Sequence, residues 1–502
     1  MTKHLRLLIA VYLYMTGCGG DPYVYLSDLS VGVGKDLAAA ADLSVDDAGP
    51  PDLADLAPLT FDVTATITTT GRHQTLAGFG AAIVYYTGYV SSRTVVNDDI
   101  YNVLFKDLGL DILRIGNWYQ NQSASGTTSS SPFTDDNIVT VVQKATTALG
   151  HAPKVLMSSW SPPGYLKSSG LTKGPTASTL KSVSGAYQYA EFGNWWVSAL
   201  AAYAAKGIKP DYISLQNEPD YFNSGWETCL FDATENVSHA GYPGALDAVY
   251  SAIGASSLTT KPKIIGAEPT GIGTNNVQNY LAAMNVAHID GIAHHLYNGG
   301  NGGDDPLPDS FSGAMTGVAT AATTAGKPTF MTEFSPNAPT MLNTAWLIHN
   351  ALTVEGVSAY IYWSLIWAPP TTGTGAALVD VENPGTTYTL PKGYRINDVY
   401  YALKHFAKWT DPGWTRIDVA STSTAVKVSA FESPTNLSVT VIALNVDTVD
   451  HVLKVAPGGF AYGTISAYRT SGASERAATV AMAPGNVVAL PAQSIVTITL
   501  TP

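Results

Sequence analysis

Two glutamates close apolar runs of the kind that form buried strands. Glu218 ends the run at residues 212–218, and Glu333 lies near the end of the run at residues 328–334. A carboxylate at such a position costs free energy unless it has partners. Two carboxyl groups facing one cleft can break a glycosidic bond, since one protonates the leaving oxygen and the other attacks the anomeric carbon or activates water. A solvated loop carboxylate is the alternative for either residue taken alone.

Other polar residues follow similar runs. Glu268 precedes a proline as Glu218 does, but no asparagine comes before it, so we favour structural hydrogen bonding over a role in the cleft. Neighbours on a strand point to opposite faces, so one of His294 and His295 should line the cleft while the other packs, and we assign His294 to the cleft. Residues 298–305 are rich in Gly and Asp but lack the regular ligand spacing of a calcium loop, which favours a flexible rim. We predict no metal and no cofactor.

Aromatic residues gather on or just after the same runs. Aromatic rings are large and apolar with polar tips in Tyr and Trp, and the C–H faces of sugars stack on them. A set of such rings around one opening is typical of a ligand cleft, although core packing is the alternative for each residue. The predicted substrate-binding aromatics are Trp118, Trp160, Tyr221, Tyr297, Trp363 and Trp367.

The elements that must position these residues alternate along the middle of the chain. Short apolar runs are separated by stretches with helical periodicity, which is typical of a parallel sheet covered by helices on both faces. The pattern predicts an α/β fold, a (β/α)8 TIM barrel at residues 73–410, with reactive residues at the carboxyl ends of the strands. A doubly wound sheet is the alternative, but no Gly-x-Gly-x-x-Gly loop follows the first run. The eight runs are residues 76–82, 112–118, 154–160, 212–218, 263–268, 291–297, 328–334 and 359–366.

The two ends of the chain have different patterns. After residue 411, apolar and polar residues alternate with period two between Gly, Pro and Asn turns, which predicts an antiparallel β-sandwich. At the other end, Lys3 and Arg6 precede an apolar run that is far shorter than the about 20 residues needed to span a bilayer. Residues 1–18 therefore read as a signal peptide. The run ends in Met15-Thr16-Gly17-Cys18, which resembles a bacterial lipobox in which Cys18 would be lipidated. Ordinary signal cleavage and no secretion are the alternatives.

Composition and charge limit the class of protein. The chain has 502 residues, of which 45% are hydrophobic, so it can bury a large core. Residues 19–59 hold eight Asp and one Lys among Ala, Gly and Pro, which predicts a disordered tether carrying more than half of the formal net charge of −13. We find no Lys and Arg cluster of the kind that binds phosphates, so a nucleic-acid partner is not expected.

The ordered motifs along the chain resemble glycoside hydrolase family 30, within the clan A retaining glycosidases. The resemblance covers about residues 60–502 and rests on Ile213-Ser214-Leu215-Gln216-Asn217-Glu218-Pro219-Asp220, Met331-Thr332-Glu333, Gln74-Thr75-Leu76-Ala77-Gly78-Phe79-Gly80, Trp160-Ser161-Pro162-Pro163-Gly164, Trp226-Glu227-Thr228-Cys229 and His294-His295-Leu296-Tyr297. It implies a side domain that recruits the strand before the barrel, here residues 60–72 with 411–502. The role of that domain is structural, with glycan binding as the alternative.

The resemblance also implies roles for the polar residues. Glu218 would be the general acid/base and Glu333 the nucleophile, about 5–5.5 Å apart as in retaining enzymes. Asn217 would hydrogen-bond the substrate 2-hydroxyl. Arg114 would lie beside Glu333 and keep it ionised, while Tyr297 would orient the same carboxylate.

The motifs are most similar to those of the bacterial xylanase branch of the family. Its glucuronate-dependent members carry arginines after the last barrel tryptophan, where this chain has Ile366 and Trp367. Indole cannot replace a guanidinium fork for a carboxylate, so we expect a secreted or surface-anchored, monomeric endo-β-1,4-xylanase without strict glucuronate dependence, acting on a xylan-like polysaccharide. The alternatives are β-1,6-glucanase, β-1,6-galactanase or glucosylceramidase-like activity, and a surface glycan-binding protein without catalysis.

Overall fold

The computed structural model describes residues 59–93, 99–120, 136–299 and 307–502, all within the compact unit Leu56–Pro502. The predicted signal peptide at residues 1–18, the tether up to residue 58, and most of the predicted rim at residues 298–305 lie outside the described residues. Across the described ranges, no helix is long and apolar enough to cross a membrane.

The described strands and helices follow one another in regular alternation through the first two thirds of the chain. The strands are β1 (Val63–Thr75), β2 (Gly78–Ala82), β3 (Ile112–Gly116), β4 (Lys154–Ser158), β5 (Ser182–Val183), β6 (Ala186–Tyr187), β7 (Tyr212–Ser214), β8 (Lys263–Ala267), β9 (Gly291–His295), β10 (Thr329–Glu333), β11 (Ala359–Tyr362), β12 (Ile366–Trp367), β13 (Val379–Val381), β14 (Tyr394–Ile396), β15 (Thr415–Ser421), β16 (Val426–Glu432), β17 (Val439–Asn445), β18 (His451–Ala456), β19 (Thr464–Ser471), β20 (Glu475–Val480), β21 (Val487–Leu490) and β22 (Ser494–Thr501). The α-helices are α1 (Thr87–Ser91), α2 (Asp136–Leu149), α3 (Tyr189–Ala205), α4 (Tyr242–Ala255), α5 (Asn276–Ala283), α6 (Ser312–Ala325), α7 (Met341–Asn350) and α8 (Asp398–Ala407). Short 3₁₀ turns lie at Gly164–Leu166, Gly273–Asn275, Val286–His288, Pro308–Phe311 and Pro391–Gly393, and π-helical turns at Asn102–Asp107 and Ala351–Glu355.

A closed parallel barrel forms the centre of the molecule. Its strands follow the order β10-β11-β2-β3-β4-β7-β8-β9, and every neighbouring pair is parallel. The residues of β3, β9 and β10 are buried throughout, because helices cover the outer face while side chains fill the interior. This burial on both faces explains the continuous apolar runs in the sequence. The predicted (β/α)8 TIM barrel is confirmed.

The interior of the barrel is apolar beneath the carboxyl ends of its strands. One buried cluster joins inward-facing residues of several strands, among them Ile112, Leu156, Ile265 and Phe330. Ile112 and Arg114 lie two residues apart on β3, so both point to the same face. The strand therefore places an apolar residue in the floor and a charged one directly above it.

Three aspartates join neighbouring strands at the amino end of the barrel. Asp111, which precedes β3, accepts a hydrogen bond from the backbone N–H of Phe79 at 2.9 Å. Asp211 and Asp290, which precede β7 and β9, accept from the N–H groups of Val155 and Ile264, both at 2.9 Å. Each carboxylate thus satisfies a backbone donor of the preceding strand of the barrel.

The second part of the described fold is a nine-stranded sheet with the order β20-β19-β22-β17-β16-β15-β1-β18-β21. Its pairs are antiparallel except that β1 runs parallel to β18. Residues from distant strands of this order, such as Val441 and Leu453, share one buried core, so the single sheet folds over on itself. The predicted antiparallel side domain is confirmed, with the strand before the barrel paired into it.

Candidate active site

Three glutamates meet at the carboxyl end of the barrel. Glu333 is the last residue of β10, Glu268 directly follows β8, and Glu218 lies four residues beyond the end of β7. All three are buried, and Glu268 has no exposed surface. The backbones of Glu218 and Glu268 adopt φ angles of 48° and 67°, a left-handed conformation that costs free energy in residues other than glycine. The backbone N–H of Glu218 donates to the Glu268 carbonyl at 3.1 Å, which ties these two turns together.

The spacing of Glu218 and Glu333 decides which hydrolysis they can perform. A carboxylate oxygen of each, together with one ring nitrogen of His295, lie within 4.8 Å of one another. Retaining glycosidases hold their carboxyl groups about 5–5.5 Å apart, whereas inverting enzymes need about 6.5–9.5 Å to admit a water molecule. The two carboxyl groups thus approach each other closely through one oxygen of each, which is compatible with the short spacing of retaining enzymes.

Arg114 connects the residues of this site through its guanidinium group. It donates to Glu333 Oε2 at 2.5 Å, to Asn217 Oδ1 at 2.6 Å and to Glu268 Oε1 at 3.1 Å. The guanidinium carbon lies 4.7 Å from the centre of the Trp160 ring, and the side chain is fully buried. A buried cation with this many acceptors orients all of them at once.

Tyr297 completes the surroundings of Glu333. Its hydroxyl donates at 3.3 Å to Glu333 Oε1, whereas Arg114 donates to the other oxygen, Oε2. Both oxygens of this carboxylate therefore have donors, which holds its plane fixed.

The two adjacent histidines face opposite sides of β9, and the assignment of His294 to the cleft is wrong. His294 points outward, where its Nε2 lies 2.7 Å from Glu355 Oε1 in a buried pair. His295 points into the cleft, with Nδ1 3.1 Å from Glu218 Oε1. Strand alternation required opposite faces but did not determine which histidine faces inward.

For Glu268 the sequence favoured structural hydrogen bonding over a role in the cleft, but the structure places it in the cleft. It joins the cleft cluster, paired with Arg114 and 3.8 Å from His295 Nε2. Its position after a buried strand and before a proline, the same context as Glu218, was the signal that could have identified it.

Electrostatics give the buried groups different protonation states. Burial raises the pKa of Glu218, and the charge of Glu333 raises this pKa further. The hydrogen bond and the charge of His295 act in the opposite direction and lower it. Burial would raise the pKa of Glu268 as well, but Arg114 and His295 lower it to about 2. For His295 burial lowers the pKa, yet Glu333, Glu218 and Glu268 outweigh that and raise it to about 9. At neutral pH His295 is therefore an imidazolium and Glu268 is ionised, while the pKa of Glu218 lies above its ordinary value.

Most of the predicted aromatic residues line one wall of the cleft. Ring centres lie 6.2 Å apart for Trp118 and Trp160, 5.9 Å for Trp160 and Trp363, and 6.0 Å for Trp363 and Trp367. Trp118 and Trp160 are only 7% and 3% exposed, so they support the wall, while Trp363 and Trp367 keep more exposed surface. Tyr221 is 38% exposed.

Two residues near this wall did not figure among the predicted site residues. Tyr85, three residues beyond β2, has its ring 5.9 Å from Trp118 and 6.4 Å from Trp363, and its hydroxyl donates to Glu227 at 3.3 Å. The ring of Trp226 lies 6.3 Å from that of Tyr221. Tyr85 follows the first strand of the barrel, and this position was the sequence signal that could have identified it as a residue of the cleft.

One group of residues is compact enough to accept a metal ion within the described ranges. It consists of Glu218, His295 and Glu333. A divalent cation there would face the Arg114 guanidinium on Glu333 and the imidazolium of His295, both of which compete for the same oxygens. This arrangement of charges favours proton transfer rather than metal binding at the site.

No protein-family model matches the chain. The endo-1,6-β-D-glucanase neg1 of Aspergillus fumigatus is 23% identical over 389 residues, which cover 70% of this chain and 74% of that protein. The glucuronoxylanase XynC of Bacillus subtilis is 24% identical over 401 residues, with 76% and 77% covered. The solved structure of the family 30 subfamily 8 xylanase Xyn30A from Clostridium acetobutylicum matches with a TM-score of 0.63 at 22% identity, over 88% of this chain and 100% of that one.

The fold of the Clostridium acetobutylicum xylanase matches the barrel and the side domain described above. The resemblance to glycoside hydrolase family 30 that the motifs indicated is confirmed. The predicted class of enzyme, a glycoside hydrolase, is confirmed with it. Both xylan-directed and β-1,6-glucan-directed enzymes occur among these proteins.

Proposed function

We propose that the chain is a retaining endo-β-glycosidase in which Glu333 is the nucleophile and Glu218 the general acid/base. The observation that carries the proposal is the short spacing of the two carboxylates, together with the different partners that each one has. A nucleophile must be ionised and an acid must hold a proton. Glu333 is paired with Arg114, and the surroundings of Glu218 raise its pKa, as an acid requires.

In the first step, a Glu333 oxygen attacks the anomeric carbon while the glycosidic C–O bond breaks. The leaving oxygen takes the proton of Glu218, and a covalent glycosyl-enzyme forms. Arg114 and Tyr297 hold the Glu333 carboxylate in place for attack. Asn217 is fixed by Arg114 through its Oδ1, which leaves its amide N–H groups available for a substrate hydroxyl.

In the second step, Glu218 removes a proton from water, whose oxygen attacks the anomeric carbon and releases Glu333. Glu333 carries no charge while it is bound to the sugar, so its contribution to the raised pKa of Glu218 disappears. The pKa of Glu218 therefore falls when the residue must change from acid to base.

For the substrate, we propose a neutral or sparsely decorated xylan. Ile366 and Trp367 form β12 after the last barrel strand, where the glucuronate-dependent branch has arginines, and the Trp367 ring lies 6.0 Å from Tyr85. An aromatic surface at this place stacks on a sugar ring but gives no bidentate contact to a uronate. β-1,6-Glucan is the second candidate, because a relative that acts on it matches most of this chain.

We further propose that the protein is exported by residues 1–18, that Cys18 carries a lipid, and that the tether at residues 19–59 separates the enzyme from a membrane. We propose a monomer whose barrel extends over residues 73–410 and whose side domain, residues 60–72 with 411–502, supports it. Mass spectrometry of the mature protein tests the lipid, and sedimentation tests the monomer.

A panel of polymers tests the substrate. The purified protein is incubated with linear xylan, glucuronoxylan, β-1,6-glucan and β-1,6-galactan, and the oligosaccharides are separated and sized. We expect internal cleavage of linear xylan at a rate within about tenfold of that on glucuronoxylan, because the uronate clamp is missing. Strong preference for glucuronoxylan contradicts the specificity, and cleavage of β-1,6-glucan alone supports the second candidate. Binding of a polymer without any cleavage indicates a glycan-binding protein.

A further inference from the structure

Glu268 is a buried carboxylate with an incomplete set of partners. Its Oε1 accepts from Arg114 at 3.1 Å and lies 3.8 Å from His295 Nε2. The Ser214 hydroxyl is close enough to help lower the pKa of Glu268, but Oε2 has no partner with good hydrogen-bond geometry. Burial of a charge with an unpartnered oxygen is costly, so the charge itself must interact favourably with its cationic neighbours.

His295 is enclosed by carboxylates on both sides of its ring. Nδ1 lies 3.1 Å from Glu218 Oε1, whereas Nε2 lies 3.8 Å from Glu268 and 4.0 Å from Glu333. Arg114 is the other cation of the cluster and forms ion pairs with Glu268 and Glu333. The cluster therefore contains three acidic groups and two basic ones, and Glu268 contacts both basic ones.

We propose that Glu268 is a positioning residue that keeps His295 in its imidazolium form and fixes Arg114 in place. The imidazolium donates its Nδ1 proton to Glu218, and the guanidinium donates to Glu333, so each catalytic carboxylate is held by a cation that contacts Glu268. The inference rests on the proposed roles of Glu218 and Glu333. It deepens them, because a third carboxylate now determines the charge state of the group that faces the acid/base.

A matched pair on the same strand provides the control. His294 and Glu355 also form a buried histidine–carboxylate contact, at 2.7 Å, but on the outer face of the barrel. Glu355→Gln removes a buried charge next to the neighbouring histidine without touching the cleft. The comparison of Glu268→Gln with Glu355→Gln thus separates the effect of one charge in the cleft from that of any buried charge near β9.

The decisive experiment is an NMR titration of the His295 imidazole in the full chain, assigned with a His295→Gln variant. We expect wild type to lose the proton near pH 9, in keeping with the raised pKa of His295. Glu268→Gln should lower the midpoint by at least about one pH unit, because the anion near Nε2 of His295 is gone. Glu355→Gln should leave it in place. An unchanged midpoint in folded Glu268→Gln overturns the proposal.

Kinetics of the same variants give an independent result. Glu268→Gln should lower kcat by about 10²-fold with little change in KM, since misplacement of catalytic groups acts on the transition state. Glu268→Asp, which restores the charge at a greater distance, should give intermediate values of kcat and of the His295 midpoint, and it serves if the glutamine variant does not fold. A Glu268→Asp protein with both values of wild type contradicts the proposal. If wild type cleaves no polymer, the proposed function fails, but the titration still tests the role of Glu268.

Discussion

Both ends of the barrel hold three acidic side chains that sit at strand ends, yet the two sets have different partners. At the amino end, Asp111, Asp211 and Asp290 each accept a backbone N–H from the neighbouring strand. At the carboxyl end, Glu218, Glu268 and Glu333 face Arg114, His295 and Tyr297.

The difference shows how one residue type supports structure in one place and chemistry in another. A carboxylate that accepts a backbone N–H from the neighbouring strand stabilises the register of the two strands. A carboxylate held only by side chains in a buried cleft has a pKa that its neighbours determine, and it can bind and release protons. The comparison predicts that substitutions at the two ends separate activity from stability.

The largest effect is expected at Glu333. Glu333→Gln keeps the size of the side chain but removes the proposed nucleophile, so kcat should fall at least about 10⁴-fold, as when a nucleophile is removed from other hydrolases. Polysaccharide binding should remain, which affinity electrophoresis can measure alongside initial rates. Activity close to wild type would remove Glu333 from the mechanism.

Substitution of Glu218 should have a smaller effect that depends on pH. General acid/base groups contribute about 10²–10⁴-fold, so Glu218→Gln should lower kcat by that amount. In wild type, activity should fall as pH rises through the raised pKa of Glu218, because the acid loses its proton. The variant should lack this alkaline decline in a profile of kcat against pH. An unchanged alkaline decline in Glu218→Gln would show that another group is the acid.

The smallest effect on activity is expected at the amino end. Asp290→Ala leaves the Ile264 N–H without its acceptor, which should lower the free energy of unfolding by about 1–2 kcal/mol. Asp290→Asn retains an acceptor oxygen and serves as the matched control. Denaturant unfolding measures the loss, and kcat of both variants should equal that of wild type. A large fall in kcat with unchanged stability would refute the division between the two ends.

The sequence predicted the barrel because its strands are buried on both faces, so their apolar runs stand out from the helical periodicity between them. It also indicated Glu218 and Glu333, since an acidic residue at the end of such a run is conspicuous. The inward histidine was not predictable, because the sequence shows the alternation of β9 but not its phase relative to the cleft. The network around Glu268 was not predictable either, because it depends on Arg114 from β3 and His295 from β9, strands that the barrel brings together.

The stereochemistry of the first product tests the central claim most directly. Time-resolved proton NMR during cleavage of a β-linked xylan distinguishes the anomers before mutarotation mixes them. Because Glu218 and Glu333 have the close spacing of a double-displacement pair, the first reducing end released should be the β-anomer. Initial release of the α-anomer would mean a single displacement by water and would contradict the assignment of Glu333 as the nucleophile.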